Sequence, residues 1–200
     1  MSKHHRNRNW APAPQPLPED AHVIDNHTHV ASVVPFSQAM SHEAMEKGQG
    51  EVPVYSVDEL LEQAQKVGVE GVIDCGCELP NLMTAIDMAR EHPGTVYAAI
   101  AIHPNEAVLH GHRGAPGPDG LPIKYKPWHD IPFDEAMAEV HRLATTYPNQ
   151  VVAIGETGMD LFRTGESAKE LQREAFRAHV ALAKELNLPM QIHDRDSHKE

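Results

Sequence analysis

The sequence of 200 residues contains only two cysteines, Cys75 and Cys77, and no apolar run long enough to span a membrane. Two cysteines cannot form a disulfide framework for a chain of this size, and their place in one apolar run favours a reducing compartment. The polar start of the chain lacks the apolar core of a signal peptide. We therefore expect a cytoplasmic protein with no membrane partner, whose 40% hydrophobic residues are typical of a soluble globular domain.

Positive charge is also scarce, because 17 Lys and Arg residues stand against 29 Asp and Glu, for a formal net charge of -12 at pH 7. This balance argues against a protein that coats nucleic acid by charge alone, since such binding depends on neutralising many phosphates. It does not argue against an enzyme that meets phosphate through bound cations. Histidine, with 15 residues, is the ionisable type in unusual supply, and its positions are therefore informative.

The first 20 residues carry alternating prolines, which predict a flexible, polyproline-like tail rather than a helix or a central strand. From residue 21 onwards, short apolar runs that are typical of strands alternate with helical patterns. The strand-like runs cover residues 22–30, 71–77, 96–104, 151–158 and 188–195. The helical patterns cover residues 57–67, 82–91, 133–147 and 167–187, and Ser56 is a predicted N-cap.

This alternation is typical of right-handed βαβ units and predicts an α/β fold with a parallel sheet that is covered on both faces. Two segments interrupt it, and we expect both to be long loops: residues 31–55 after the first strand and residues 105–131 after the third. Long loops at the carboxyl ends of strands usually shape a binding site. A tolerated surface insertion explains either loop equally well.

The first strand ends in the motif Asp25-Asn26-His27-Thr28-His29. Side chains alternate along a strand, so Asp25, His27 and His29 are expected on one face. Two imidazoles on a rigid strand can bind one divalent cation, with Asp25 as a partner that supports a histidine or as a weak ligand. The alternative is a pair of structural histidines without a metal.

Three further strand ends carry candidate residues. Glu156 lies between glycines where the fourth strand ends, and a carboxylate there can bridge two cations about 3.5–4 Å apart, although a buried ion pair is the alternative. His193 closes the fifth strand, and Arg195 beside it can bind a phosphate oxygen. His103 closes the third strand, where a lone histidine before a proline is more often structural.

These candidates share the carboxyl ends of parallel strands: His27, His29, His103, Glu156 and His193. In a (β/α)8 barrel that end is the catalytic face, while the opposite end serves stability. We therefore expect a single site at the mouth of a barrel.

The motifs DNHTHV, GVIDCG, IHP, VVAIGETGMDLFR and LPMQIHDRDSHKE, in this order over residues 22–200, resemble those of the TatD-type metal-dependent deoxyribonucleases, which are amidohydrolase-like TIM barrels. The resemblance implies that His27 and His29 bind a first metal, that His193 binds a second, and that Glu156 bridges the two as the catalytic carboxylate. Three residues are similar in placement to groups that contact the substrate phosphate: His103, Arg163 and Arg195.

The resemblance further implies a monomeric enzyme that hydrolyses the phosphodiester bonds of DNA, with single-stranded ends as a substrate and 3'-5' exonucleolytic trimming as the mode. It implies two divalent cations, and the mixed histidine and carboxylate set leaves Mg²⁺, Mn²⁺ and Zn²⁺ open. The family's site also needs a histidine at the end of the sixth strand and an aspartate at the end of the eighth, and neither is assigned here. We therefore expect a TIM-type (β/α)8 barrel of which about the first five β/α units are present, truncated at the carboxyl end.

Several alternatives stay open. A related metal-dependent amidohydrolase or esterase would use the same ligands on a small substrate, and a truncated barrel with open sheet edges can be an inactive fragment. Cys75 and Cys77 are predicted to be core residues. Trp128, beside Tyr125 and Lys126, either stacks on a base or anchors its loop. Two residues remain unassigned because neither is predicted at a strand end: Asp160 and His179.

Overall fold

The computed structural model describes residues 16–18, 20–48 and 53–199. In this part of the chain five parallel strands form one sheet in the order β1-β2-β3-β4-β5. The strands are β1 (Val23–Thr28), β2 (Val69–Gly76), β3 (Val96–Ile100), β4 (Val151–Asp160) and β5 (Met190–Arg195). The helices are α1 (Val30–Glu46), α2 (Val57–Lys66), α3 (Leu79–Glu91), α4 (Pro104–Ala107), α5 (Phe133–Thr146) and α6 (Lys169–Leu186).

The sheet curls towards a barrel. Each strand pairs with the next one along the chain, which is the order of a (β/α)8 barrel and not of a doubly wound sheet. The side-chain amide of Gln191 on β5 donates to the carbonyl oxygen of Asn26 on β1, so the last strand turns back towards the first. The described part of the chain therefore holds five strands of a TIM-type barrel, with helices after each of the first four, and the predicted fold class is confirmed.

The main hydrophobic core lies between the sheet and the helices outside it. Its largest fully buried side chains include Leu82, Ile86, Ile100 and Ile154. Burial of each such side chain contributes about 1.5–3 kcal/mol to stability. A second, smaller cluster of small side chains lies on the inner face of the curl: Cys75, Ala99 and Ala153. The middle strand β3 is thus buried on both faces, as its continuous apolar sequence predicts.

Four of the helices agree with the sequence patterns to within three residues at each end: α2, α3, α5 and α6. Helix α2 begins at a capping box, in which the Ser56 hydroxyl accepts from the Glu59 backbone and the Glu59 carboxylate accepts from the Ser56 backbone at 2.8 Å. The prediction of Ser56 as an N-cap is confirmed.

The prediction of a long loop over residues 31–55 is wrong, because residues Val30–Glu46 form helix α1. The buried face of this helix consists of Ser37, Ser41 and Ala44, spaced by four and three residues. Two of these three are polar, so a search for apolar periodicity does not detect the face. Pro35 lies inside the helix and, as a residue that normally breaks helices, hides it further.

The second predicted loop, residues 105–131, is largely irregular and carries short 3₁₀ turns at His110–His112 and Pro127–Asp130. Of the predicted flexible tail, residues 1–15 and 19 lie outside the described residues. The backbone N–H of Leu17 donates to the carbonyl of Val67 at 2.9 Å, which ties this segment to the start of β2. Within the described ranges, no helix has both the length and the apolar character needed to cross a membrane.

Candidate metal centre

The first pair of histidines lies where β1 ends and α1 begins, with His27 in the strand and His29 directly before the helix. The Thr28 hydroxyl donates to the Ile73 carbonyl on β2 at 3.0 Å, and the buried Asp74 carboxylate accepts from the backbone N–H of Ala31 in the first turn of α1 at 3.3 Å. A carboxylate at a helix N-terminus is electrostatically favourable, so these contacts hold the turn in place. The rings of His27 and His29 lie edge to face with centroids 5.1 Å apart.

Glu156 lies between the histidines of β1 and the histidine of β5. Its Oε2 is 3.6 Å from His27 Nε2 and 3.9 Å from His29 Nε2. Its Oε1 accepts from His193 Nδ1 at 2.6 Å. One carboxylate therefore spans the space between two strands that are far apart in the sequence.

Glycines on either side of Glu156 allow β4 and β5 to approach closely enough for this arrangement. A Cβ at Gly155 would lie 2.5 Å from the Cβ of Gln191. At Gly158, where φ is +142°, a Cβ would lie 2.1 Å from the carbonyl oxygen of His193. Any larger residue at either position would push β5, and with it His193, away from the carboxylate.

Two groups of side chains offer donor atoms that lie within 4.8 Å of one another: His27, His29 and Glu156 in the first, and His103, Glu156 and His193 in the second. Glu156 is common to both. Imidazole nitrogens and a shared carboxylate are suitable donors for two neighbouring divalent cations. The residues present therefore fit a metal, and the donor set suits Zn²⁺ and Mn²⁺ better than Mg²⁺.

Asp160 belongs to this site, although sequence reasoning left it unassigned. Strand β4 continues to Asp160, beyond the predicted end at residue 158, so this residue does end a strand. Its Oδ2 accepts from His193 Nε2 at 3.1 Å and from the Asn105 amide at 2.9 Å. The available signal was spacing, because residues four apart on a strand share one face with Glu156.

The ionisable groups of the centre shift one another's pKa. Burial raises the pKa of both carboxyls, but the hydrogen bonds that they accept, from His193 first, and the nearby histidine charges together outweigh it and lower both values, to about 2 for Glu156. Those same bonds, with Asp160 first and Glu156 second, raise the pKa of His193 to about 9. Burial lowers the pKa of His103 to about 4. Ionised carboxylates are ready for a cation, whereas His193 would release a proton on binding one.

His103 has a defined tautomer. Its Nδ1 accepts from the backbone N–H of Asn105 at 3.1 Å, so the proton of the neutral ring is on Nε2. The ring lies 4.4 Å from that of His193, centroid to centroid. A neutral ring with Nε2–H aimed at the centre is a hydrogen-bond donor, which is the form that a phosphate oxygen accepts.

The other predicted residues lie around the centre. The Asp25 carboxylate is exposed and accepts from the backbone N–H of His27 at 3.2 Å, so it supports the backbone and not the ring. The Arg195 guanidinium lies 4.1 Å from the centroid of the Phe162 ring. Arg163 is exposed and lines a separate cavity formed with residues of the 105–131 loop. Neither arginine pairs with a carboxylate in the described part of the chain.

The sequence patterns gave no catalytic role to Cys75, Cys77 or His179, and the structure shows where each of them lies. Cys75 and Cys77 are free thiols, and burial raises both pKa values, that of Cys75 to about 12. Cys77 Sγ lies 3.8 Å from Glu156 Oε2, so this residue borders the centre. His179 is structural, because its Nε2 accepts from the backbone of Ile102 at 3.1 Å.

A family model described as "TatD related DNase" matches residues 24–200. The chain belongs to the TatD family. It is 33% identical over 141 residues to the uncharacterized metal-dependent hydrolase YabD of Bacillus subtilis, covering 70% of this chain and 45% of that protein. It is 32% identical over 142 residues to the 3'-5' ssDNA/RNA exonuclease TatD of Erwinia tasmaniensis, covering 71% and 45%. The chain thus spans about half the length of these TatD relatives.

Solved structures share the fold. YjjV, a TatD homolog from Escherichia coli, matches 88% of this chain and 52% of its own, with a TM-score of 0.58 and 24% identity. A hydrolase TatD family protein from Entamoeba histolytica matches 88% and 50%, with a TM-score of 0.59 and 21% identity. These similarities support the TatD barrel fold, and with the family match they confirm the family expected from the motifs.

Proposed function

We propose that the protein is a divalent-metal-dependent phosphodiesterase that acts on DNA and removes nucleotides in the 3'-5' direction. The observation that carries this proposal is Glu156, a carboxylate common to two groups of imidazole ligands. Membership in the TatD family and a relative named as a 3'-5' ssDNA/RNA exonuclease support the reaction class.

We assign His27, His29 and Glu156 to one cation and Glu156 and His193 to a second, with Asp160 as the partner that orients His193. Two bound cations would lower the pKa of a water molecule and neutralise charge on the scissile phosphodiester. The carboxylate on the far nitrogen of His193 fixes the ring orientation, as such partners do in metal sites. Asp25 supports the backbone of the first ligand.

Three residues are proposed to hold the substrate phosphate: His103, Arg163 and Arg195. His103 donates from Nε2, since its Nδ1 already accepts from Asn105. Stacking on Phe162 restricts the guanidinium of Arg195 while leaving its N–H edge free for a bidentate contact. These donors, together with the cations, allow a chain of net charge -12 to approach a polyanion.

We also propose that the protein acts as a monomer in the cytoplasm, where its free thiols would stay reduced. Residues 21–200 are proposed to be the amino-terminal part of the hydrolase barrel, and residues 1–20 a tail.

The test is nuclease activity of the 200-residue chain on single-stranded DNA labelled at either end, with and without a chelator. Metal content of the purified protein is measured in parallel. His27→Ala and Glu156→Ala are expected to abolish activity and reduce bound metal, whereas Glu174→Ala, on the exposed side of α6, is expected to do neither. Activity that resists the chelator and survives in both variants contradicts the proposal. Turnover of cyclic amides without turnover of DNA would favour the small-substrate alternative.

A further inference from the structure

The 105–131 loop is anchored to α4 by buried polar contacts. The buried ring of His129 lies 2.7 Å from Glu106 Oε2 through its Nε2, and Trp128 donates to the same oxygen at 3.3 Å. His129 Nδ1 accepts from the backbone N–H of Lys126 at 2.9 Å. Trp128 therefore helps to anchor the loop, and the backbone of Lys126 is held by the same group of contacts.

This anchor places the loop beside the candidate metal centre. Helix α4 follows His103 directly, so Glu106 lies about 5 Å further along the same helix. On the other side, Glu78 lines a cleft of about 500 Å³ together with His29 and Cys77. Burial raises the pKa of Glu78, the charge of Glu106 raises it further, and the charges of His129 and Lys126 lower it.

The loop presents a partly exposed aromatic ring whose neighbours in the sequence include cations. Tyr125 is 38% exposed, and its ring lies on that of His112 with centroids 4.3 Å apart and an interplanar angle of 33°. The His112 ring is itself held by Asp130, 2.6 Å from its Nε2. One face of Tyr125 is thus supported by a fixed ring.

Three exposed cations are sequence neighbours of this ring pair: Arg113 follows His112, and Lys124 and Lys126 flank Tyr125. The two segments also meet in space, since a Cβ at Gly114, the residue after Arg113, would lie 3.4 Å from the Tyr125 hydroxyl oxygen. None of the three forms an ion pair with a described residue. Arg90 and Arg142, in contrast, each pair with a carboxylate on their own helix. The loop cations therefore have charge available for another molecule.

We propose, on the basis of the proposed function, that this surface binds the single-stranded nucleic acid whose end lies in the metal centre. We name it the loop platform and define it as His112, Arg113, Lys124, Tyr125 and Lys126. A base stacks on the exposed part of Tyr125, which is favourable for any base, while the cations contact flanking phosphates. Because the chain as a whole is strongly acidic, a polyanion is held only where such a local positive surface exists.

The experiment separates strand binding from chemistry. Binding of a labelled single strand about 12 nucleotides long is measured by fluorescence anisotropy in EDTA, where cleavage is suppressed. Hydrolysis of bis(p-nitrophenyl) phosphate, which is too small to reach the loop platform, reports the metal centre alone. The variants are Lys124→Glu/Lys126→Glu, Tyr125→Ala and Tyr125→Phe. The matched control is Lys66→Glu/Lys184→Glu, an equal charge change near the amino ends of β2 and β5.

We expect Lys124→Glu/Lys126→Glu to raise Kd at least about tenfold and to reduce the slope of log K against log salt by about 1.4. Tyr125→Ala is expected to raise Kd about 5- to 100-fold, and Tyr125→Phe to retain binding, since the ring carries the stacking. The control is expected to bind within about twofold of the wild type, and every variant to hydrolyse the small phosphodiester normally. RNA and DNA strands of one sequence are expected to bind similarly.

Several results would overturn the loop platform: no strand binding by the wild type, unchanged Kd in the platform variants, an equal loss in the control, or preference for a duplex. If the wild type still cleaves single-stranded DNA in those cases, the proposed function stands. If the wild type binds the strand through the platform but hydrolyses neither DNA nor the small phosphodiester, the proposed function fails and the platform stands.

Discussion

The two faces of the curled sheet differ in composition and in purpose, although the same strands supply both. The outer face is packed with large aliphatic side chains such as Ile100 and Ile154 against the helices. The inner face carries small residues and, at its carboxyl end, Glu156 among histidines. Side-chain alternation makes this division possible, because each strand can stabilise the fold on one side and hold polar groups on the other. Stability and chemistry should therefore be separable by mutation.

On the inner face, the substitution with the largest expected effect is Glu156→Gln. It keeps the size of the side chain and removes the negative charge that both groups of histidines share. We expect phosphodiesterase activity to fall on the order of a thousandfold, a loss of about 4 kcal/mol in transition-state stabilisation. Bound metal, measured by elemental analysis, should fall with it. Glu174→Gln is the matched control, and full activity in Glu156→Gln would remove this residue from the centre.

On the outer face, the corresponding substitution is Ile100→Ala, which tests the contribution of the core to stability. Because Ile100 is fully buried, the cavity should lower the free energy of unfolding by about 2–5 kcal/mol, whereas Ile100→Val should cost about 0.5–1.5 kcal/mol. Urea unfolding followed by circular dichroism measures both. Metal content of the folded protein should not change. A loss of metal at unchanged stability would mean that the two faces are not separable.

Asp160→Asn tests whether the Asp160 carboxylate orients His193, and it removes no proposed metal ligand. The variant loses the charge that orients His193, and we expect metal affinity to fall about 10- to 100-fold, which titration with Zn²⁺ or Mn²⁺ measures. Asp194→Asn is a control on the neighbouring strand, because that carboxylate contacts Ser197 and His198 instead. Equal affinity in both variants would leave Asp160 with no orienting role.

His179 allows a comparison with the histidines of the inner face, because it lies on the outer side of the sheet and has a structural role. Burial lowers its pKa to about 4. A histidine with a lowered pKa contributes stability that is complete above its unfolded value of about 6.5 and is lost as the pH falls towards 4. Between pH 7.5 and pH 5 this loss amounts to about 2 kcal/mol.

The measurement is urea unfolding of the wild type and of His179→Gln at both pH values. The variant is expected to be less stable at pH 7.5 but to lose about 2 kcal/mol less on acidification. An identical pH dependence in the two proteins would show that His179 is not the group that titrates.

The sequence patterns anticipated most of the elements and missed particular ones for identifiable reasons. Helix α1 escaped because its buried face is built on Ser37 and Ser41, and burial of serine is decided by the neighbouring elements rather than by hydropathy. Asp160 escaped because the end of β4 depends on pairing with β5, a contact that periodicity does not contain. The proposed ligands His27 and His29 were detectable because strand and turn signals around them are local.

The sequence by itself determines the alternation of strands and helices, the TatD family, and the strand ends at which the histidines and Glu156 lie. The alternation and the strand ends depend on spacing within about ten neighbouring residues, which side-chain periodicity carries. The family depends on the order of five motifs over residues 22–200. Only the tertiary structure decides that Glu156 lies near both groups of histidines, that Asp160 accepts from His193, and that the exposed ring of Tyr125 lies on that of His112. These relations depend on how closely distant strands and loops pack, and that distance is a property of the assembled core.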